Sequence, residues 1–92
     1  MTTCYINGNY KDILKSKVSI TDRGFQFSDG IYEVIAVYEN RFVDIDLHLN
    51  RLIKSLNKLK IKINLKVNQI ENISKKIKKL NNLNNGIIYI QI

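Results

Sequence analysis

The chain has 92 residues, which suffices for one small domain with a single modest hydrophobic core, and we treat residues 1–92 as one domain. Hydrophobic residues make up 45% of the sequence and charged residues 25%, so the composition excludes a disordered chain. The one cysteine, Cys4, excludes an internal disulfide and a cysteine-based zinc site, and no apolar segment approaches the roughly 20 residues of a membrane span. With no signal-peptide pattern at the N-terminus, we expect a soluble, cytoplasmic protein.

The net charge of +7 arises in the second half of the chain. Residues 1–46 carry five basic and seven acidic residues, whereas residues 47–92 carry ten basic residues against Glu71 alone. A small basic binding module for nucleic acid or an acidic partner therefore stays open as an alternative. The 12 lysines, 12 asparagines and 16 isoleucines indicate instead the bias of an AT-rich genome, and three arginines are few for base readout. We expect solvated helix faces and no nucleic-acid partner.

The first predicted element is a β-hairpin. Asn7-Gly8 lies between the short runs Cys4–Ile6 and Asn9–Lys11, and both residues of this pair tolerate the positive φ of a two-residue turn. Residues 12–30 show little periodicity and contain several turn-forming residues, so they are predicted to form a loop.

A second hairpin and a helix follow. The β-branched and aromatic run Ile31–Tyr38 and the shorter run Arg41–Val43 predict two paired strands. Asp44 then occupies the position of an N-cap, and apolar residues at helical spacing predict a helix over Ile45–Leu59.

The last predicted elements are a second amphipathic helix from Val67 to Leu80 and a strand over Ile87–Ile92. The order ββββααβ indicates an α+β fold, in which a small antiparallel sheet of two hairpins plus a C-terminal strand packs against two helices. Because the sequence stops within an apolar strand, we expect it to be a fragment of a longer protein.

The predicted strand at 31–38 has two distinct faces. Tyr32, Val34, Ala36 and Tyr38 share one face, and Ile31, Glu33, Ile35 and Val37 share the other. The second face is mainly apolar and is expected to meet the helices, with Glu33 paired near the strand end. The first face, with a phenol beside the opening at Ala36, is a candidate ligand wall, although a glycine-containing loop whose aromatic residues fill the core is the more common arrangement.

His48 and Arg51 lie three residues apart, on the same side of the first long helix. A single histidine near a helix start is more often structural than catalytic, and a helix arginine is usually solvated. Arg51 is nevertheless the one arginine among the ten basic residues of the second half. Its retention suggests that the planar guanidinium is needed, as in the capture of phosphate or carboxylate.

Two segments carry a family resemblance. DRGFQFSDGIYEVIAVY at 22–38, followed by DLHLNRL at 46–52, resembles the N-terminal domain of class IV (fold-type IV) pyridoxal-phosphate aminotransferases. The D-amino-acid aminotransferase branch is the most similar, and branched-chain aminotransferases and aminodeoxychorismate lyase share a looser version. The resemblance extends from the strand at Cys4 through GIIYIQI at 86–92 and implies the fold of that N-terminal domain.

The resemblance also implies site residues. Arg51 matches the family arginine that binds the phosphate of pyridoxal 5′-phosphate, and Tyr32 matches a tyrosine that holds the substrate carboxylate. Val34 and Ala36 match further substrate-binding positions, and His48 matches a helix histidine that supports the site from behind. The sequence departs from the family at Ser28, where glycine is common, and at Ala36, where some members have lysine.

The family enzymes transfer an amino group between an amino acid and a 2-oxo acid, act as homodimers and carry their Schiff-base lysine in a second domain. No lysine of this sequence matches that position, so we expect no catalytic residue here and an inactive chain when it stands alone. A fragment of a branched-chain aminotransferase or of aminodeoxychorismate lyase stays open within the family. A remnant that barely folds is a further alternative.

Overall fold

The computed structural model describes residues 1–92 and confirms the first hairpin. Strand β1 (Thr3–Ile6) pairs antiparallel with β2 (Asn9–Asp12). Asn7 and Gly8 have φ angles of 48° and 92°, which is the left-handed backbone that this two-residue turn requires. The pair of residues that identified the turn in the sequence therefore also builds it.

Residues 12–30 contain two short helical segments, so the prediction of a plain loop is wrong there. Ile13–Lys15 form a 3₁₀ turn, and Arg23–Phe27 form the five-residue helix α1. Asp12 and Asp22 begin them, because each carboxylate accepts a hydrogen bond from a backbone N–H two or three residues further on, at 3.1 and 3.2 Å. Segments this short show no apolar periodicity, which is why the sequence did not predict them.

A three-stranded antiparallel sheet with the order β4-β3-β5 forms the centre of the molecule. Its strands are β3 (Tyr32–Tyr38), β4 (Arg41–Phe42) and β5 (Gly86–Gln91). Glu39 and Asn40 connect β3 to β4 with φ angles of 47° and 65°. The second hairpin and the C-terminal strand are confirmed.

The strands form two separate sheets: β1 and β2 pair only with each other and do not join the central sheet. Asn81, directly after the second long helix, occupies the free edge of β1 instead. Its Oδ1 accepts from the Thr3 N–H at 2.8 Å, and its Nδ2 donates to the Thr3 carbonyl at 2.8 Å. Both backbone groups of Thr3 are thereby satisfied by a side chain, so the edge needs no further strand there. The α+β class itself is confirmed.

The two long helices are α2 (Ile45–Lys58) and α3 (Val67–Leu80), close to the predicted bounds. Asp44 stands at the N-cap position of α2, as predicted, but its side chain makes no capping hydrogen bond. The physical reason is its φ of 53°, since a capping side chain requires an extended backbone at this position. None of the helices is long and apolar enough to cross a membrane.

The core lies between the central sheet and the two long helices, as the alternation along β3 predicted. Its seven buried apolar residues are Ile35, Val37, Leu49, Leu52, Leu56, Ile70 and Ile88. Of the polar residues only Glu33 and Ser74 are buried, and the Ser74 hydroxyl donates to the Ile70 carbonyl one turn earlier, at 2.9 Å. Glu33 is therefore the one buried charge of the fold, and it needs a partner.

Candidate functional site

A buried carboxylate marks the candidate site. Glu33 is the second residue of β3, on the face that packs against α2, and only 5% of its surface is exposed. The strict alternation of the strand places it there, because Ile35 and Val37 on the same face are both buried in the core.

Helix α2 supplies the partners of Glu33 from two successive turns. Arg51 Nε donates to Glu33 Oε2 at 2.7 Å, and Arg51 Nη2 donates to Glu33 Oε1 at 2.6 Å, which makes a bidentate pair. His48 Nδ1 lies 2.7 Å from Glu33 Oε1. The spacing of three residues brings His48 and Arg51 to one side of the helix, as predicted, and that side faces the start of β3.

This arrangement stabilises the charged forms of Glu33 and Arg51. The hydrogen bonds from Arg51 lower the pKa of Glu33 to about 2, and those from His48 act in the same direction, although burial opposes them. Glu33 in turn raises the pKa of Arg51, mainly through the same hydrogen bonds. Because Glu33 is ionised, the short contact requires the His48 hydrogen on Nδ1, so the Arg51 Nη2 3.3 Å from that atom cannot donate to it.

The Arg51 guanidinium keeps hydrogen-bonding capacity for a ligand. Five N–H groups are available on an arginine, and Glu33 uses the side formed by Nε and Nη2. The end formed by Nη1 and Nη2 therefore retains three N–H groups, and the side chain is 66% exposed. Two parallel donors on a fixed plane match the oxygens of a phosphate, so this residue fits the phosphate of pyridoxal 5′-phosphate.

The outer face of the central sheet carries the other predicted residues. Tyr32, Val34 and Ala36 point away from the helices and are all exposed, and Val34 pairs across the sheet with Tyr89. The rings of Tyr32 and Tyr89 stack with their centres 5.8 Å apart. A groove of about 250 Å³ runs beside them, and it is lined by Gly24, Ser28, Gly30, Ile31, Tyr32, Tyr89 and Gln91.

Sequence reasoning missed Tyr89 and Gln91 as members of this face. The signal was available in the alternation of β5, because residues 87, 89 and 91 pair directly with Ala36, Val34 and Tyr32 of β3. The strand was identified correctly, but its register against β3 requires a long-range pairing that periodicity alone does not fix.

The two groups of predicted residues lie on opposite faces of one strand. His48 and Arg51 meet Glu33 on the inner face, whereas Tyr32, Val34 and Ala36 occupy the outer face. Tyr32 and Glu33 are consecutive, so both groups meet at the same end of β3. Arg51 therefore lies near the Tyr32 end of β3, but on the opposite face of the strand from Tyr32, Val34 and Ala36.

The lysines of α3 are largely engaged within the chain. Lys75 pairs with Glu71 at 3.4 Å, Lys76 Nζ lies 4.3 Å from the centre of the Tyr10 ring, and Lys78 donates to Asn40. The larger depression of the surface, about 410 Å³, lies beside Lys78 and Lys79 and is lined by only one apolar residue. It contains none of the predicted site residues.

Comparisons with known proteins agree with the fold. A sequence profile of the family described as amino-transferase class IV matches residues 30–92. D-alanine aminotransferases of Staphylococcus haemolyticus, Staphylococcus aureus (strain MSSA476) and Listeria monocytogenes serotype 1/2a (strain 10403S) are 37%, 35% and 32% identical over 91, 91 and 87 residues. These alignments cover 99%, 99% and 95% of this chain but 32%, 32% and 30% of the relatives. The chain therefore spans about a third of their length.

Solved structures show the same architecture. The T.th. branched-chain amino acid aminotransferase, complexed with N-(5′-phosphopyridoxyl)-L-glutamate, superposes with a TM-score of 0.90 at 18% identity, over 97% of this chain and 31% of that one. The branched-chain aminotransferase of Thermoproteus uzoniensis, with norvaline, gives 0.82 at 16% identity, over 98% and 31%. At these identities the likeness concerns the fold alone.

The matched profile covers most of the sequence, including all of the central sheet, both long helices and the cluster of Glu33, His48 and Arg51. On this match, the chain belongs to the class IV aminotransferase family.

Proposed function

We propose that residues 1–92 form the N-terminal domain of a pyridoxal-phosphate-dependent D-amino-acid aminotransferase and bind the phosphate of the cofactor. The observation that carries this proposal is the Arg51 guanidinium, which Glu33 holds through Nε and Nη2 while 66% of the side chain stays exposed. The names of the 32–37% identical relatives favour D-alanine as the amino donor, and the family resemblance implies a 2-oxo acid as the acceptor.

Each predicted residue has a role in this proposal. Arg51 binds two phosphate oxygens, and His48 helps to hold the Glu33 carboxylate. The Tyr32 hydroxyl donates to the substrate carboxylate, while Val34 and Ala36 set the width of the substrate pocket on the outer sheet face. Pyridoxal 5′-phosphate, when bound, supplies the electron-withdrawing ring on which amino-group transfer depends.

The lysine that bonds covalently to the cofactor lies outside residues 1–92 in this proposal. All 12 lysines are on the surface or half-buried at most, and none matches the family position. The homodimer and the cytoplasmic location of such enzymes belong to the same proposal, as does the exclusion of nucleic acid and membrane as partners.

Phosphate binding tests the assignment of Arg51. Titration of the chain with pyridoxine 5′-phosphate, followed by phosphorus NMR, should show saturable binding, and this probe lacks the aldehyde that would react with surface lysines. Arg51→Lys keeps the charge but loses the paired donors, so we expect binding to weaken about tenfold, the effect of one charge-assisted hydrogen bond. Lys54→Gln, at an exposed position one turn further along α2, is the matched control and should leave affinity within twofold. Equal binding by the wild-type chain and Arg51→Lys would refute the assignment.

The absence of a reactive lysine gives a second expected result. The 92-residue chain, incubated with pyridoxal 5′-phosphate, D-alanine and 2-oxoglutarate, should release no pyruvate above a control without protein, because it lacks the group that exchanges protons with the bound substrate. A coupled lactate dehydrogenase assay measures this. Stereospecific turnover of D-alanine but not L-alanine would show that a lysine within these residues acts, and would overturn this part of the proposal.

A further inference from the structure

The only buried charge of the fold, Glu33, contacts the arginine proposed to bind phosphate. We propose that Glu33 is a positioning residue that sets the plane of the Arg51 guanidinium, so that its Nη1–Nη2 end faces the phosphate. This inference rests on the proposed function of Arg51 and adds a residue that contacts the arginine and not the ligand.

The contacts give Glu33 this role. Arg51 extends from a helix surface with 66% of its side chain exposed, so without a partner it would sample many rotamers. Glu33 is fixed by burial, and its two oxygens hold Nε and Nη2 at 2.7 and 2.6 Å. His48 binds the Oε1 atom at 2.7 Å and so limits rotation of the carboxylate itself. A guanidinium held through one side loses little further freedom when a ligand binds its other end.

Charge alone predicts the opposite effect of Glu33. A carboxylate next to a phosphate site repels the phosphate, so removing its charge should strengthen binding if electrostatics dominated. If positioning dominates, removing the charge releases the guanidinium and weakens binding. The two effects differ in sign, which makes a single substitution decisive.

Glu33→Gln is that substitution, because glutamine has nearly the same shape, removes the charge and replaces one acceptor oxygen by an NH2 donor, so it cannot hold both Arg51 nitrogens. We expect its affinity for pyridoxine 5′-phosphate, corrected for the folded fraction by circular dichroism, to fall roughly three- to tenfold. Glu39→Gln is the matched control: it makes the same charge change at an exposed turn residue beyond the far end of β3 and should leave affinity unchanged or slightly higher. Unchanged or tighter binding by Glu33→Gln would overturn the positioning role.

A measurement on the wild-type chain does not depend on the stability of a variant. In nitrogen-edited NMR the Arg51 Nε–H should exchange with water at least tenfold more slowly than that of Arg41, which is exposed and forms no ion pair. Equal exchange would show that Glu33 does not hold the guanidinium in solution, and the inference would fail.

The two proposals fail in different ways. If the wild-type chain and Arg51→Lys bind the probe equally, the assignment of the phosphate site is wrong and the positioning role of Glu33 falls with it. If binding depends on Arg51 but not on Glu33, the site stands and only the positioning role is wrong.

Discussion

Replacing Leu52 by alanine is expected to lower the free energy of unfolding by about 3 kcal/mol, within the usual range of roughly 2–5 kcal/mol for such a change in a core. Leu52 is fully buried where α2 meets the central sheet, and it belongs to the same cluster as Ile35, Leu49 and Ile70. Since the whole core has seven buried apolar residues, one leucine is a large share of it. A chain of this size has a total stability of roughly 5–10 kcal/mol, so much of the margin would be lost.

Urea unfolding followed by circular dichroism measures this change. Leu47→Ala is the matched control, because Leu47 lies on the same helix and is 68% exposed, so the identical substitution should change stability by less than about 0.5 kcal/mol. Similar losses for the two variants would contradict the placement of the core between α2 and the sheet.

The second large effect is a loss of stability in acid that depends on Glu33. The pKa of Glu33 in the folded chain is about 2, below its ordinary value of 4.5, because Arg51 and His48 stabilise the carboxylate. As the pH falls, the unfolded chain therefore takes up the proton first. The stabilisation is fully present above about pH 5 and is lost as the pH falls towards 2, and it amounts to at most about 3 kcal/mol.

Glu33→Gln isolates this contribution from those of the other carboxylates. The free energy of unfolding of the wild-type chain should exceed that of Glu33→Gln near neutral pH, and the difference should shrink steadily between about pH 5 and pH 2. Chemical denaturation at a series of pH values measures the two curves. A difference that stays constant over this interval would mean that Glu33 does not titrate as the geometry requires.

Much of the fold could be predicted because local and long-range preferences agree. Asn7-Gly8 adopts the turn that its residue types favour, and the alternation along β3 separates a buried face from an exposed one as its sequence indicates. The expectation that Glu33 would be paired followed from burial alone, since an unpaired buried charge is too costly. The identity of its partners did not follow, because it depends on how α2 docks on the sheet.

Other features were hidden for equally physical reasons. The helix at Arg23–Phe27 is a single turn begun by one carboxylate, and Asp44 starts α2 through its backbone conformation rather than its side chain. The position of Tyr89 opposite Val34 depends on a strand register across more than 50 residues of chain. Of the candidate site, the sequence indicated the residue types and the helix face, whereas the bidentate pair and the free end of the guanidinium required coordinates.

The hydrogen bonds from the Asn81 side chain to the edge of β1 affect how the hairpin is attached to the rest of the molecule. No strand is shared between the β1–β2 hairpin and the central sheet, so the hairpin is fastened to α3 through one amide and the packing around it rather than through a continuous ladder. Segments joined in this way can open as separate cooperative units, at a free energy lower than that of global unfolding. We therefore expect the hairpin of β1 and β2 to open at a lower free energy than the central sheet that carries Glu33.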